Sequence, residues 1–351
     1  MKYVAGTLKT YSVMSSQETI LKIRGLKTYF PVRKGLLRTV AAHVKAVDGV
    51  DLEIYRGETL GLVGESGCGK TTLGKSIIQL VGAVGGQILY QEGEQTYDLL
   101  NLSPEEFKHI RQKIQIVFQD PHSSLNPAFT VFGSLQDPLK LYGVKTKAER
   151  RKIIGDLLEA VNMRREQMDN YPHEFSGGQR QRIGIARALC VNPEVVICDE
   201  AVSALDVSIQ AQVLQLLQEI KQARGLTYIF ITHDLSVVEY ISDRVAVMYL
   251  GKIVELAESE ALYRTPRHPY TQALLSAIPI ADLDRKSDRI VLEGDVPNPV
   301  SPPSGCSFHP RCPKFKSLSE PEKQRCMGES PQLSDATQLT QPHLVSCHYP
   351  N

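Results

Sequence analysis

The chain has 351 residues, of which 40 are Lys or Arg and 39 are Asp or Glu, so its formal net charge is +1. A charge this close to zero gives no bulk attraction for nucleic acid or anionic lipid, and it argues against a general polyanion-binding protein. The hydrophobic fraction of 42% is ordinary for a globular protein, and no apolar run approaches the ~20 residues that span a bilayer. We therefore do not expect an integral membrane protein.

The two ends of the chain differ from its middle. Residues 1–19 lack the continuous apolar segment of a secretory signal, so we expect the chain to stay in the cytosol with its cysteines reduced or metal-bound. Prolines accumulate between residues 279 and 303, which indicates an extended connection. We divide the chain into an N-terminal tail at 1–19, a large domain at 20–265 and an extension at 266–351.

The large domain begins with a basic segment. Residues 20–47 contain seven basic side chains and no acidic one. Such a segment could contact a nucleotide or phospholipid, but we interpret it as a solvated loop. Beyond it, short β-rich runs alternate with helical patterns, as in a layered α/β domain. Apolar residues at helical spacing predict helices through 153–161 and from Asp206 to a stop at Gly225. The predicted strands are 59–63, 114–118, 195–198, 227–232 and 244–250.

A glycine-rich loop follows the first predicted strand. Residues 64–71 read GESGCGKT and fit the pattern G-x-x-x-x-G-K-S/T. Glycines let successive backbone N–H groups turn inward around a phosphate, and the following helix directs its positive end at the same anion. We expect Lys70 to reach the β- and γ-phosphates and the Thr71 hydroxyl to bind Mg²⁺. The candidate nucleotide-binding residues of this loop are Gly64, Glu65, Ser66, Gly67, Cys68, Gly69, Lys70, Thr71 and Thr72.

Two acidic residues follow the predicted strand 195–198. Burial of this apolar strand would place Asp199 at its carboxyl edge, beside the phosphate loop. There Asp199 can orient the Mg²⁺ shell, and Glu200 can polarise a water for in-line attack on the γ-phosphate. The acid pair and the glycine-rich loop together predict a nucleotide-hydrolysing site.

Further segments resemble the motifs of ATP-binding cassette (ABC) proteins. Residues 175–179, FSGGQ, resemble the ABC signature with Phe175 in place of the usual Leu. In the same order as in that family, Gln119 resembles the Q-loop, residues 203–206 the D-loop and His233 the switch histidine. The resemblance implies an ABC-type P-loop NTPase with a RecA-like α/β core, an antiparallel β subdomain and a helical subdomain at about 121–185.

The resemblance also implies roles for these residues. Two cassettes are expected to close head to tail, so that the signature of one caps the γ-phosphate held by the other. Gln119 would link Mg²⁺ to the helical subdomain, and His233 would hold the γ-phosphate and Glu200 in register. We expect Phe30 to contact the adenine, with Tyr29 as the alternative. The remaining candidate nucleotide contacts are Ser176, Gly177, Gly178, Gln179 and Asp206.

One branch of the family is matched more closely than the others. Residues 44–50, 119–127, 206–212 and 267–274 resemble the ATPases of oligopeptide and dipeptide importers, although Ala201 replaces the Pro usual in that branch. This resemblance implies a peripheral subunit on the cytoplasmic face of a bacterial inner membrane. It would pair with a second ABC ATPase under two transmembrane permease subunits. An extracytoplasmic peptide-binding protein would deliver peptide to these permeases. Residues 121–140 are expected to receive a permease helix.

Other functions remain open at this point. A cassette ATPase of DNA repair or translation would share the nucleotide chemistry, but those relatives usually carry a second cassette or inserted modules in the same chain. A cassette that binds ATP without turnover is disfavoured by the intact Lys70, Asp199, Glu200 and His233. Import of another solute, such as nickel, is also compatible with these residues. We expect no nucleic-acid partner.

The extension is rich in cysteine. Four thiols suit either tetrahedral Zn²⁺ or an iron-sulfur cluster, and their spacing alone does not choose between them. The close C-x2-4-C pairs of structural zinc sites do not occur here, and some members of the importer branch hold a 4Fe-4S cluster in a similar segment. We therefore expect a 4Fe-4S cluster, with zinc as the alternative. The candidate ligands are Cys306, Cys312, Cys326 and Cys347.

Overall fold

A mixed eight-stranded sheet forms the centre of the fold. The computed structural model describes residues 18–35, 39–119, 125–278, 289–335 and 342–351. Most of the predicted N-terminal tail therefore lies outside the described residues. Five neighbouring strands of the sheet run parallel, and in spatial order they are β6 (Ile114–Val117), β7 (Val195–Asp199), β8 (Thr227–Ile231), β3 (Thr59–Val63) and β9 (Arg244–Tyr249). All five were predicted to within one residue at each end.

The parallel strands are buried on both faces. Alternate residues of β7 face different cores, because Val196 and Cys198 pack towards the helical region whereas Val195 and Ile197 pack beneath the second sheet. Every residue of β3, β7 and β8 is buried. Continuous apolar sequence is what such doubly covered strands require, and this is why they were recognisable from sequence.

The second sheet is antiparallel and has the order β2-β1-β4-β5. Its strands are β1 (Thr19–Lys34), β2 (Thr39–Tyr55), β4 (Gly85–Glu92) and β5 (Gln95–Asp98). The prediction of a solvated loop at 20–47 is therefore wrong. Ile23 and Leu26 of β1 are fully buried, while Lys22 and Arg24 reach outward to Glu53. Lys22 and Arg24, two of the basic residues that suggested a loop, project from the solvent side of β1.

Helices cover the sheets and begin or end at recognisable residues. The Thr130 and Thr146 hydroxyls cap two of them by accepting the N–H three residues on. Gly225, in the left-handed conformation with φ 63°, ends another, as predicted. The α-helices of the described residues are α1 (Lys70–Ile77), α2 (Pro104–Lys113), α3 (Val131–Leu141), α4 (Lys147–Ala160), α5 (Gly177–Leu189), α6 (Val207–Arg224), α7 (Leu235–Ile241), α8 (Ser259–Arg264), α9 (Pro269–Ser276) and α10 (Glu320–Gly328).

Helices α3, α4 and α5 pack together through one apolar cluster. Leu135, Leu158 and Ile183, one from each helix, are fully buried in it. The same cluster reaches β7 and α6, so these helices are anchored to the central sheet. They lie within or at the end of the predicted helical subdomain at 121–185, of which residues 121–124 fall outside the described part.

The extension joins the central sheet instead of standing apart from it. β10 (Lys252–Glu258) pairs with β9, β12 (Leu344–Val345) pairs with β10, and β11 (Ser334–Asp335) pairs with β12, all antiparallel. Phe308 of the extension and Tyr270 of α9 share an apolar cluster with Val63 at the end of β3. The C-terminal residues are therefore packed directly behind the phosphate loop.

A buried carboxylate ties these segments together. Glu255 of β10 is fully buried and accepts the backbone N–H groups of Arg267 and His268 at 2.7 and 3.0 Å. Its other contact is His343, whose Nε2 lies 2.6 Å from Glu255 Oε1. Because a buried carboxylate needs such partners, Glu255 fixes both the entry to α9 and the segment that leads into β12.

Candidate nucleotide-binding site

The glycine-rich loop connects the carboxyl end of β3 to the start of α1, as predicted. Two of its glycines pass unusually close to neighbouring backbone. A Cβ atom on Gly64 would lie 2.2 Å from the carbonyl oxygen of Met248, and one on Gly69 would lie 2.0 Å from that of Ala46. Both glycines also have positive φ, 150° and 111°. No other residue fits at either position.

The Lys70 side chain is held inside this loop. It is buried, and its Nζ donates to the carbonyl oxygens of Gly64 and Glu65 at 2.7 and 3.0 Å. A positive charge is thereby fixed where the loop would surround a phosphate, which is the position predicted for Lys70.

Thr71 and Asp199 meet beneath the loop. The Thr71 hydroxyl donates to Asp199 Oδ1 at 2.8 Å. Burial raises the pKa of the Asp199 carboxyl above its usual value, while the hydrogen bond from Thr71 opposes that rise. A buried carboxylate beside a hydroxyl is a set of oxygen donors that suits Mg²⁺, and bound Mg²⁺ would relieve the cost of burying the charge. The residues present therefore fit the predicted ion.

Glu200 lies between His233, with which it was predicted to act, and Gln119, which was predicted to link Mg²⁺ to the helical subdomain. Gln119 Nε2 donates to Glu200 Oε2 at 2.6 Å, and His233 Nδ1 lies 3.4 Å from Glu200 Oε1. The Glu200 backbone has φ 49°, in the left-handed region, and its N–H donates to the Ile231 carbonyl at 2.9 Å. Strained backbone of this kind persists where the surrounding structure fixes it, and it is concentrated at active sites.

These groups surround an open cavity of about 420 Å³. A volume of this order is within the range of small-molecule sites. The cavity is lined by Val44, Ala46, Ser66, Gly67, Gly69, Lys70, Thr71, Thr72, Gln119, Glu200, His233 and Pro299.

Pro299 is a site residue that the sequence reasoning missed. It belongs to the extension, and its carbonyl accepts the Lys45 N–H of β2 at 3.1 Å. The prolines around it were interpreted only as a connection. The prolines themselves were the available signal. Closely spaced prolines predict a stiff extended segment, and such a segment can hydrogen-bond a strand and form a wall of a cavity.

The two aromatic candidates differ in their surroundings. The Tyr29 hydroxyl donates to Asp48 Oδ1 at 2.5 Å, so this ring is engaged within its own sheet. Phe30 is 40% exposed and pairs directly across the hairpin with Val44, which lines the cavity. Neither ring is itself among the lining residues.

The signature motif lies elsewhere on the surface. Ser176 caps α5, since its Oγ accepts the Gln179 N–H at 3.3 Å while Gln179 Oε1 accepts the Ser176 N–H at 3.0 Å. Gly178 is required there, because a Cβ on it would meet the Ile209 side chain at 2.5 Å. Ser176 and Asp206 are exposed, and neither is among the residues that line the cavity. Within one chain, the structure does not bring them to Lys70.

The four cysteines of the extension converge on a different, small cavity. Cys306, Cys312, Cys326 and Cys347 all line it. Burial raises the pKa of the Cys306 thiol to about 11 and that of Cys347 to about 12. In the part of the chain that the structure describes, no group of three or more His, Cys, Asp and Glu side chains is arranged to hold a metal ion. The arrangement therefore does not confirm the predicted 4Fe-4S cluster or its zinc alternative.

Known proteins share both the fold and the extension. Residues 47–203 match the family described as "ABC transporter", and residues 254–317 match "Oligopeptide/dipeptide transporter, C-terminal region". The oligopeptide transport ATP-binding protein AppF of Bacillus subtilis is 50% identical over 337 residues, which cover 95% of this chain and 98% of that protein. The chain belongs to the ABC transporter family. It is an ATP-binding subunit with ATPase chemistry, as the motifs predicted.

Further comparisons agree with this assignment. A putative peptide import ATP-binding protein of Brucella ovis is 49% identical to this chain over 298 residues, covering 85% of this chain and 90% of that protein. The cassette also resembles MJ0796, solved as a dimer in a post-hydrolysis state with ADP and Pi. The TM-score is 0.60 at 28% identity, and the match covers 68% of this chain and 99% of that chain. No helix in the described part of the cassette is long and apolar enough to cross a membrane.

The position of Glu200 generates a prediction about hydrolysis. Replacement of Glu200 by Gln keeps the shape of the side chain but removes its capacity to accept a proton. We expect ATP hydrolysis to fall by roughly 10²–10⁴-fold, while ATP still binds and a closed dimer accumulates. Phosphate release and ATP affinity should both be measured. Glu219, exposed on α6 and hydrogen-bonded to Gln215, supplies the control E219Q. Unchanged hydrolysis in E200Q would show that Glu200 is not the base.

Proposed function

We propose that this chain is one of two ATPase subunits of a bacterial importer of dipeptides or oligopeptides. The observation that carries the proposal is the extension, because residues 254–317 match the C-terminal region of oligopeptide/dipeptide transporters. Relatives described as peptide or oligopeptide transport ATP-binding proteins also align with the cassette and the extension together, over 95% of this chain in the case of AppF. Nickel import and a role in DNA repair or translation have no comparable support.

The exposed signature supports a site that two cassettes complete together. Ser176 and Gly177 stand at the amino end of α5, where the N–H groups of the first turn and the helix dipole favour an anion. In the head-to-tail dimer, Ser176, Gly177, Gly178 and Gln179 would cap the γ-phosphate bound by the partner's loop, and Asp206 would lie at the contact between subunits. The similar cassette MJ0796 is a dimer in its structure with ADP and Pi, which supports a pairing of two cassettes.

Within one cavity, the contacts already described support the following roles in hydrolysis. Lys70 neutralises charge on the β- and γ-phosphates. Thr71 and Asp199 would hold Mg²⁺, with Gln119 as a further ligand, and Mg²⁺ supplies positive charge to the phosphate oxygens. Glu200 takes a proton from the attacking water, and His233 keeps Glu200 and the γ-phosphate in register.

The strand register favours Phe30 as the adenine contact. Residues directly opposite in an antiparallel pair project to the same face of the sheet. Because Val44 lines the cavity and pairs with Phe30, the Phe30 ring stands on the cavity side of the hairpin. Pro299 forms part of the same wall. The hydrogen bond from Tyr29 to Asp48 engages the alternative side chain within its own sheet, which also favours Phe30.

A pair of matched variants tests this assignment. In F30A we expect ATP affinity to fall by roughly tenfold, because an aromatic contact is worth about 0.5–1.5 kcal/mol. In Y29F we expect ATP affinity to stay unchanged, and stability to fall by about 1 kcal/mol because the hydrogen bond to Asp48 is lost. Titration with a fluorescent ATP analogue and urea unfolding give the two quantities. The opposite pattern of affinities would assign the adenine contact to Tyr29.

The cassette would act as a peripheral subunit on the cytoplasmic face of the inner membrane. Near the predicted permease surface at 121–140, Phe132 and Leu135 are buried, whereas Phe129 is 52% exposed. Phe129 is therefore the better candidate for a permease contact. ATP-driven closure of the two cassettes would switch the permeases between two states, and cargo would be selected by the permeases and the extracytoplasmic peptide-binding protein.

Isolation of the assembly tests the proposed function. The chain should be tagged in its own cell, extracted with mild detergent and analysed by mass spectrometry. We expect two multi-span permeases and a second cassette ATPase to co-purify, and we expect deletion of this chain to abolish uptake of a labelled dipeptide but not of nickel. Co-purification with ribosomal or DNA-repair proteins in place of permeases would contradict the importer assignment. It would not affect the assignment of ATPase chemistry.

The four converging thiols support a separate proposal for the extension. We propose that Cys306, Cys312, Cys326 and Cys347 take up a 4Fe-4S cluster, or Zn²⁺ as the alternative, because four cysteines around one cavity match the ligand number of either. We assign the cluster no step in ATP hydrolysis.

Metal analysis of anaerobically purified protein tests this proposal. We expect about four iron atoms and equal acid-labile sulfide per chain, both lost in C312S. Cys190 is buried outside the extension, so C190A should keep them. Zinc near one atom per chain would select the alternative. If neither metal is bound, the cysteines have another role.

A further inference from the structure

Two side chains of the extension reach the phosphate-binding loop, and both contact Glu65. Arg311 Nη1 and Nη2 donate to Glu65 Oε2 and Oε1 at 2.7 and 3.0 Å, which makes a bidentate ion pair. The Tyr270 hydroxyl accepts the Glu65 backbone N–H at 2.9 Å. One residue of the loop is thus held by its side chain and by its backbone.

Both of these side chains are themselves fixed by packing. Tyr270 is fully buried, with its ring centroid 4.7 Å from that of Tyr249 and 5.4 Å from that of Phe308. The Arg311 side chain is 8% exposed, and its guanidinium lies 6.0 Å from the centroid of Tyr249. A guanidinium held in this way presents its donors to a carboxylate in one geometry. Because Arg311 is already fixed by its own packing, the ion pair restrains the Glu65 side chain.

The restraint leads directly to Lys70. The N–H of Glu65 and the carbonyl of Gly64 belong to one peptide unit, which is planar, so its N–H and C=O point in opposite directions. The Tyr270 hydroxyl holds the N–H, and the carbonyl accepts from Lys70 Nζ at 2.7 Å. The carbonyl of Glu65 accepts from the same ammonium at 3.0 Å. Fixing Glu65 therefore fixes both carbonyl groups that orient the phosphate-binding lysine.

We infer that Tyr270 and Arg311 are positioning residues of the nucleotide site, which act through Glu65 to hold Lys70 for the phosphates of ATP. Gly64 has no side chain that could hold this peptide in one orientation, so a restraint on the neighbouring Glu65 adds to the close packing of the loop. The extension provides it. The inference rests on the ATPase chemistry of the family and is independent of the cargo and of any metal bound by the cysteines.

Conservative variants of the full-length chain test the inference through nucleotide affinity. Y270F removes one oxygen and keeps the ring, and R311K keeps the charge but loses the bidentate geometry. We expect each to weaken ATP binding by about three- to tenfold, because each removes a hydrogen-bonded restraint. In the assembled transporter, the KM for ATP should rise by the same factor while kcat changes little. KM rises because the position of Lys70 determines how tightly ATP binds. The kcat changes little because neither substitution alters the groups around Glu200.

A double-mutant cycle separates action through Glu65 from a general effect on the extension. If Arg311 acts through Glu65, E65Q should weaken ATP binding as R311K does, and the double variant should be no worse than either single one. The control is K316M, which breaks the exposed ion pair of Lys316 with Glu293 in the same extension without touching the loop. Its ATP affinity should equal that of the unmodified chain.

Melting temperature and metal content, measured on every variant, complete the test. A purely structural role for Tyr270 and Arg311 would lower the melting temperature or the metal content and leave the ATP affinity of the folded protein unchanged. That result in Y270F and R311K would overturn the inference. Additive losses in the E65Q and R311K double variant would also overturn it, because they would show that Arg311 does not act through Glu65.

Discussion

The nucleotide site depends on how closely the phosphate-binding loop passes two backbone carbonyl groups. Gly64 approaches the carbonyl of Met248 in β9, and Gly69 approaches that of Ala46 in β2. The loop is therefore packed between the central sheet and the antiparallel sheet. A side chain at Gly64 would displace it from β9, and one at Gly69 would displace it from β2. One apolar cluster, which contains Ile23 of β1 and Ile197 of β7, and the hydrogen bond from Arg244 of β9 to the Glu53 carbonyl of β2 also join the sheets, so both contribute to the support for Lys70 and Thr71.

The other candidate site residues reach the loop because of the strand order. Asp199 is the last residue of β7, and Gln119 and His233 lie two residues after β6 and β8. These three strands are neighbours in the sheet and parallel, so their carboxyl ends meet at one edge. Glu200 stands centrally among them and adopts a strained backbone to do so. Ser176 of the signature and Asp206 at the end of the D-loop are exposed and do not line the cavity, and this separation suits a site that needs a second cassette.

Local patterns were enough to predict the parts of the fold and site that are contiguous in sequence. Strands such as β3 and β7 are buried on both sides and appear as short apolar runs, and the loop residues follow one of them directly. The β1–β2 hairpin escaped prediction because the basic Lys22 and Arg24 alternate with the buried Leu21 and Ile23 and drew attention away from that alternation. The contact between Arg311 and Glu65 joins residues 246 positions apart. No local pattern encodes such a pairing, because it depends on where β10 and α9 place the extension. The choice between Phe30 and Tyr29 likewise depends on strand register, which the sequence of one strand does not contain.

The pairing of β12 with β10 has a consequence for solubility. β10 is almost entirely buried, and without a neighbour its outer side would offer unpaired backbone N–H and C=O groups next to apolar residues such as Ile253 and Leu256. Edges of this kind recruit strands from other molecules and lead to aggregation. The short β11, Ser334–Asp335, becomes the new edge, and its two residues are polar and exposed. The C-terminal residues thus cover an apolar edge strand with a new edge that is too short and too polar to pair with strands of other molecules.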